Sequence, residues 1–154
     1  MRNQIYRAIA LAAALALLIT SCGSSAEPED ASTGAATAES SGPASGGIRL
    51  VTAQDGSAIL SEPPTDLVIL DVRTPEEFGE GHLEGAVILD FYRDDFADQL
   101  AELDRDVPYL LYCRSGNRSG QTAAMMEELG FTDVADVDGG IISWTEAELP
   151  TVIE

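Results

Sequence analysis

Three short runs, LVIL at 67–70, AVIL at 86–89 and YLLY at 109–112, are apolar at every position, with segments of helical length between them. A strand with one solvated face alternates apolar and polar residues. A strand covered on both faces does not, and such strands belong to parallel sheets whose crossovers lay helices on either side. The pattern predicts an α/β domain with a mostly parallel central sheet flanked by helices. A weaker strand falls at 134–137 and an edge strand at 48–52. Helices are expected at 93–103, where Phe96, Leu100 and Leu103 recur at helical spacing, and at 119–129, stopped by Gly130. A short one follows the Gly139-Gly140 turn at 141–146, and Pro63-Pro64 breaks whatever helix covers 53–60. About 105 residues from Ile48 onward are enough for one modest core.

Nothing before Ile48 is suited to that core. Residues 23–47 read GSSAEPEDASTGAATAESSGPASGG, without an aromatic, and are expected to form a flexible tether. Such a chain spans roughly 25–30 Å. Ahead of it, Arg2 and Arg7 precede an apolar run at 8–19, shorter than the ~20 residues of a spanning helix. Positive flank, short apolar core and small residues near a cut describe a secretory signal. Ile19-Thr20-Ser21-Cys22 resembles the bacterial lipobox, which implies a diacylglyceryl thioether on Cys22, usually with an amide-linked third chain. Two or three chains, at ~0.8 kcal/mol per buried methylene, anchor stably where one is marginal. The expected organisation is a signal peptide at 1–21, a lipidated cysteine and linker at 22–47, and a globular domain at 48–154. The domain would stand at the extracytoplasmic face of a cell membrane. The alternatives are an uncleaved anchor or a secreted protein with a coincidental cysteine.

If Cys22 carries lipid, Cys113 is the only remaining thiol and the domain has no internal disulfide. There is no lysine, all eight basic residues are arginine, and 27 acidic residues give a formal net charge of −19. A surface of that sign repels nucleic acid and anionic membrane, so neither is an expected partner. The domain is taken as a monomer.

Cys113 directly follows YLLY and is followed by Arg114, Ser115, Gly116, Asn117 and Arg118 before the next helix. Reactive groups in open α/β sheets gather where a strand's carboxyl end meets a helix N-terminus. Loop N–H groups and the helix dipole favour negative charge there, which lowers a thiol's pKa from ~8.5. Arg114 and Arg118 add to the local positive field, within the ~8 Å that physiological salt leaves unscreened. Gly116 supplies the tight curvature of an N–H cradle. An inert buried thiol would not ordinarily come with two arginines. Being in a loop, Cys113 is expected outside the core, so that Cys113→Ser disturbs folding little.

CRSGNRS at 113–119 resembles the active-site loop of single-domain rhodaneses. LDVRTPEEFGEGHLEGA at 70–86 is similar to that family's Asp-Val-Arg strand end and Gly-His-x-x-Gly-Ala turn, and Asp138-Gly139-Gly140 with Trp144 resembles its closing element. The resemblance covers roughly 48–149. It implies a sulfurtransferase in which Cys113 takes sulfane sulfur from a donor such as thiosulfate or a persulfide and passes it to cyanide or a thiol, a protein thiol included. The N–H groups of 114–118 would hold the persulfide, and the Arg114 and Arg118 side chains would contact an anionic donor. One tryptophan stands where relatives often have two, which leaves the substrate rim open.

Two other functions compete with turnover: a sulfur carrier fed by a partner, and an inactive scaffold, against which the intact Cys113 speaks. Phosphatase-type loops place arginine six positions after the cysteine, and Arg118 stands five after, a ring better matched to one sulfur than to a phosphate. His82 invites a general-base role, but the resemblance places it in a structural turn. Asp71 and Arg73 either reach the active-site rim or form a fold-holding ion pair, the second being favoured. Trp144 is expected in the core, and Met125 and Met126 sit on a helix and need no cofactor to explain them. No metal-ligand spacing or phosphate-binding glycine loop appears, and no cofactor is expected.

Overall fold

The computed structural model describes residues 46–153. The signal, Cys22 and nearly all of the tether lie outside the described residues. From Gly47 the chain runs β1 (Gly47–Val51), α1 (Ala53–Ser61), β2 (Val68–Asp71), α2 (Pro75–Gly79) and β3 (Val87–Ile88). It continues through α3 (Phe96–Glu102), β4 (Tyr109–Tyr112), α4 (Asn117–Leu129), β5 (Asp133–Val137) and α5 (Gly140–Glu146). The five strands form one parallel sheet in the order β1-β5-β4-β2-β3. After β2 the chain moves toward β3, and after β4 it moves toward β5, so the order reverses between β2 and β4. The carboxyl ends of these two strands therefore flank the crevice where such sheets bind ligands.

The expected sheet is confirmed, and β4 best shows why. All four of its residues are buried. Tyr109 and Leu111 pack with Leu70, Leu100, Met126 and Val134 on the α3/α4 face. Leu110 and Tyr112 pack with Ile59, Ala135, Val137 and Trp144 on the α1/α5 face. At ~25 cal/mol per Å2, burial on two faces is the main force holding this strand at the centre. Trp144 is in the core as expected, its indole N–H donating to the Pro150 carbonyl at 2.9 Å.

Several boundaries differ from the sequence expectation. The run at 86–89 yields only the two-residue β3, whose Val87 and Ile88 are 52% and 38% exposed. It is a short edge strand, paired on one side with β2, and no helix covers its side chains fully. The helix expected from residue 93 starts at Phe96: Asp95 before it is non-helical, and the Arg93 guanidinium reaches forward to the Asp95 carboxylate. The helix expected from 119 starts two residues earlier, directly after Gly116 at φ 88°, and ends on left-handed Gly130 as anticipated. Helix α2 was not foreseen. Its start nevertheless carries a full capping box, with Thr74 and Glu77 each accepting the other's backbone N–H, and proline in its first turn.

Asp71 and Arg73 are 0% and 4% exposed, and they form the ion pair that was the favoured reading. Arg73 Nε and Nη2 reach the Asp71 carboxylate at 2.6–2.9 Å, while Nη1 and Nη2 donate to the Glu77 and Gly81 carbonyls at 3.0 and 2.8 Å. The guanidinium thereby ties the end of β2 to α2 and the turn after it. His82 completes that turn, stacked on Phe78 at 3.7 Å and paired through its backbone with Val152. Its ring serves structure. Removing one partner of a buried ion pair strands the other charge, so Arg73→Ala is expected to cost about 3–5 kcal/mol in urea unfolding at neutral pH. A loss below about 1 kcal/mol would show that water reaches Asp71 and replaces the arginine.

Candidate active site

Chain direction alone brings Cys113 to the sheet's reactive end. β4 stops at Tyr112, Cys113 follows, and three residues later Gly116 turns left-handed to start α4. A side chain at Gly116 would be strained at that φ and would press on the Gly139 nitrogen at 3.4 Å. Cys113 is 1% exposed and packs with the α3/α4 core. This corrects the expectation that a loop cysteine would stand apart from the core: the loop folds down onto the strand ends, and the sulfur sits at its floor.

The loop's peptide orientation is set from outside. The N–H groups of Ile141 and Ile142 donate to the carbonyls of Cys113 and Arg114 at 2.9 and 3.1 Å. With the Arg114 carbonyl drawn toward α5, the Ser115 N–H on the other side of that peptide turns to the sulfur. The approach requires glycine at 140, since a Cβ there would lie 2.4 Å from the Cys113 carbonyl oxygen.

Gly116 N–H donates to Cys113 Sγ at 3.2 Å. Burial pushes the thiol pKa up, but the N–H and hydroxyl of Ser119 and the N–H groups of Ser115 and Gly116 outweigh it. The net result lies below the ordinary thiol value. Of the expected cradle, Ser115 and Gly116 therefore act on the sulfur through their backbones. Ser119, which is fully buried, is an addition. Asn117 turns away, its side-chain oxygen accepting from Gln121 at 3.0 Å.

The arginines are not equivalent. Arg118 is held by Glu77 through two hydrogen bonds of 2.7 Å, and Tyr92, 68% exposed, lies 5.5 Å from the same guanidinium. This ion pair, with smaller help from the Thr74 N–H, lowers the Glu77 pKa to about 2 against a modest burial penalty. Arg118 still feels the thiolate electrostatically, but its main partner is Glu77. Arg114 is exposed, with no side-chain partner among the described residues. Beside it opens a groove of about 200 Å3 lined by Arg73, Glu77, Glu80, Arg114, Ile142 and Thr145. A larger cavity of about 590 Å3, between Pro63, Leu83 and Trp144, does not touch the loop.

Sequence reasoning missed Glu77, Ser119 and Asp136. The first two were legible in part, as the third residue of a capping box and the last residue of CRSGNRS. Asp136, on β5 and 3% exposed, gave no signal.

Comparison with known proteins agrees with this geometry. The rhodanese-like domain family matches residues 52–147. Thiosulfate sulfurtransferase GlpE of Pseudomonas putida is 42% identical over 77 residues, 50% of this chain and 68% of that one. The probable adenylyltransferase/sulfurtransferase MoeZ of Mycobacterium tuberculosis is 32% identical over 87 residues, covering 56% of this chain but only 22% of MoeZ. A solved structure of a rhodanese-related protein from Thermoplasma volcanium matches with a TM-score of 0.60 at 30% identity, over 69% of this chain and 99% of that one. With the parallel sheet, the cysteine loop at its switch point and the closing glycine pair all in place, this chain belongs to the rhodanese-like sulfurtransferase family.

Proposed function

We propose that the protein moves sulfane sulfur through a persulfide on Cys113, at the extracytoplasmic face of a membrane to which lipid on Cys22 tethers it. The observation that supports the chemistry is a lone buried thiol whose pKa is lowered by N–H groups and a hydroxyl, at the carboxyl end of the central strand. The thiolate attacks the terminal sulfur of the donor, a new S–S bond forms, and the donor's own S–S bond breaks. Sulfite or a thiolate leaves with the electron pair. The acceptor, cyanide or a thiol, then attacks the outer sulfur, and Cys113 departs as thiolate. No redox partner is consumed, and the N–H groups that hold the thiolate are placed to hold the outer sulfur in turn.

The partner-fed carrier remains a second reading because of one observation: Glu77 occupies Arg118. That pairing weakens attraction for a small dianion such as thiosulfate. Arg114, Glu80 and the apolar Ile142 instead line a mixed groove suited to an organic or protein persulfide.

Incubation with thiosulfate or a polysulfide is expected to add one sulfur atom to the intact mass, and cyanide to remove it. Cys113→Ser should abolish both while losing no more than about 1–2 kcal/mol of stability. Alkylation rate against pH should have its midpoint below the free-thiol ~8.5, with sulfur uptake failing as pH falls through that midpoint. A wild type that takes up no sulfur from any donor would end the enzyme reading.

Glu77→Gln keeps the capping box, because glutamine serves there as glutamate does, and it releases the Arg118 charge. Thiosulfate:cyanide kcat/KM should rise roughly three- to tenfold at low salt, with a steeper salt dependence. An unchanged kcat/KM would show that the loop backbone alone binds the donor.

For the anchor, the wild type should label with a palmitate analogue and partition into detergent, whereas Cys22→Ser should accumulate as unprocessed precursor. An unlabelled wild type in the aqueous phase would refute the lipid tether.

A further inference from the structure

On β5, Ala135 and Val137 point to the face covered by α1 and α5, and the residue between them must point to the other. That residue is Asp136. It pairs in register with Leu111 of β4 and Leu50 of β1, and it lies beneath the first turn of α4, where Oδ2 is 3.9 Å from the place a Gly120 Cβ would take. The carboxyl is 3% exposed, and its Oδ1 has no hydrogen-bond partner. A buried carboxyl with an unpartnered oxygen is costly for stability alone. A hydrophobic residue would fill this position better.

We propose that Asp136 is a positioning residue for Cys113, acting through buried Ser119 on the first turn of α4, the turn that lies over Asp136 and leads out of the Cys113 loop. This rests on the reading of Cys113 as the nucleophile. The Ser119 side chain favours negative charge at Cys113 and also at Asp136, and its hydroxyl donates to the Gly116 carbonyl at 3.3 Å. It has one proton to donate. With Asp136 neutral, that proton can swing from the Gly116 carbonyl to the thiolate. With Asp136 ionised, two anions compete for one hydrogen bond, and the thiolate loses support. Burial is the main cause that raises the Asp136 pKa to about 6, against the help of Ser119 and with a further upward push from Asp138.

The surroundings leave few other groups to confuse this coupling. β4 presents Leu111 on this face, with Cys113 just beyond its end, while the titratable Tyr112 points to the opposite face. From α4 the nearest charge is Arg118, turned away onto Glu77. β1 presents Leu50, and β5 itself contributes Asp138. α1 and α5 cover the opposite face.

The test is iodoacetamide alkylation of Cys113 from about pH 5 to about pH 9, a range spanning both ionisations. In the wild type the rise should be broader than a single titration, because the two sites are coupled. Asp136→Asn should sharpen it to one titration and speed alkylation near pH 6.5 roughly three- to tenfold. A curve that superimposes on the wild type would overturn the proposal, and a change in melting temperature alone would not support it. Should Asp136→Asn fail to fold, Asp136→Ser carries the same expectation. Combining Asp136→Asn with Ser119→Ala should give much less than the summed effects, and strict additivity would overturn the route through Ser119. Sulfur uptake by the wild type is followed in parallel. Uptake without an Asp136 effect sinks this proposal only, whereas an Asp136 effect without uptake sinks the sulfurtransferase reading instead.

Discussion

A carbonyl that accepts a hydrogen bond from one side cannot also turn toward the sulfur on the other, and the site depends on this constraint. Ile141 and Ile142 at the start of α5 hold the Cys113 and Arg114 carbonyls outward. The glycine pair at 139–140 permits that approach, both residues lying at positive φ. Trp144, one turn further along, locks α5 into the core beside Val137 and Leu110. A helix of seven residues with little stability of its own is thereby fixed by tertiary packing, and it fixes the loop. The thiol pKa falls below its ordinary value although the sulfur is buried, which happens only where several donors converge.

The same crevice is braced from β2 by the Asp71–Arg73 pair. Its hydrogen bonds to the Glu77 and Gly81 carbonyls place α2 so that Glu77 meets Arg118, 41 residues away in sequence. A buried ion pair is weak evidence of net stability, but it is geometrically exacting. Here it sets which charge the donor encounters at the mouth.

What the sequence made legible follows from locality. The unbroken YLLY run, the cysteine after it and the glycine-stopped helix after that are consecutive, and each was placed within two residues. The AVIL run misled because apolar composition reports a propensity to be covered, and at the sheet edge the flanking helices leave Val87 and Ile88 partly open. The Arg118–Glu77 pair was invisible because side-chain partnership between distant segments has no periodic trace. Arg118 therefore read as a free substrate contact. Cys113 read as a loop residue outside the core because exposure was inferred from element type, whereas a loop packed onto strand ends is as buried as the strands. Asp136, an acid in a five-residue strand of an acidic protein, resembled the many solvated carboxylates around it. Only the sheet register shows that it faces inward.

Two carboxylates near one thiol thus behave in opposite ways. Glu77, held by an arginine and a backbone N–H, stays ionised down to about pH 2, and its contribution to the fold, present above the usual carboxylate range, is lost only as pH falls through that value. Asp136, buried with one oxygen unpartnered, favours its neutral form up to about pH 6, so the stability it contributes is present below its unfolded value of ~3.9 and fades as pH rises through about 6. Glu77 tempers the positive field at the mouth, and Asp136 opposes negative charge at the floor. Environment, rather than residue type, divides these roles, as it does wherever paired titratable groups serve one reactive atom. In a chain of net charge −19, the thiolate is therefore governed by a few near groups, because salt screens the distant acids within ~8 Å while the donors at the loop act at contact distance.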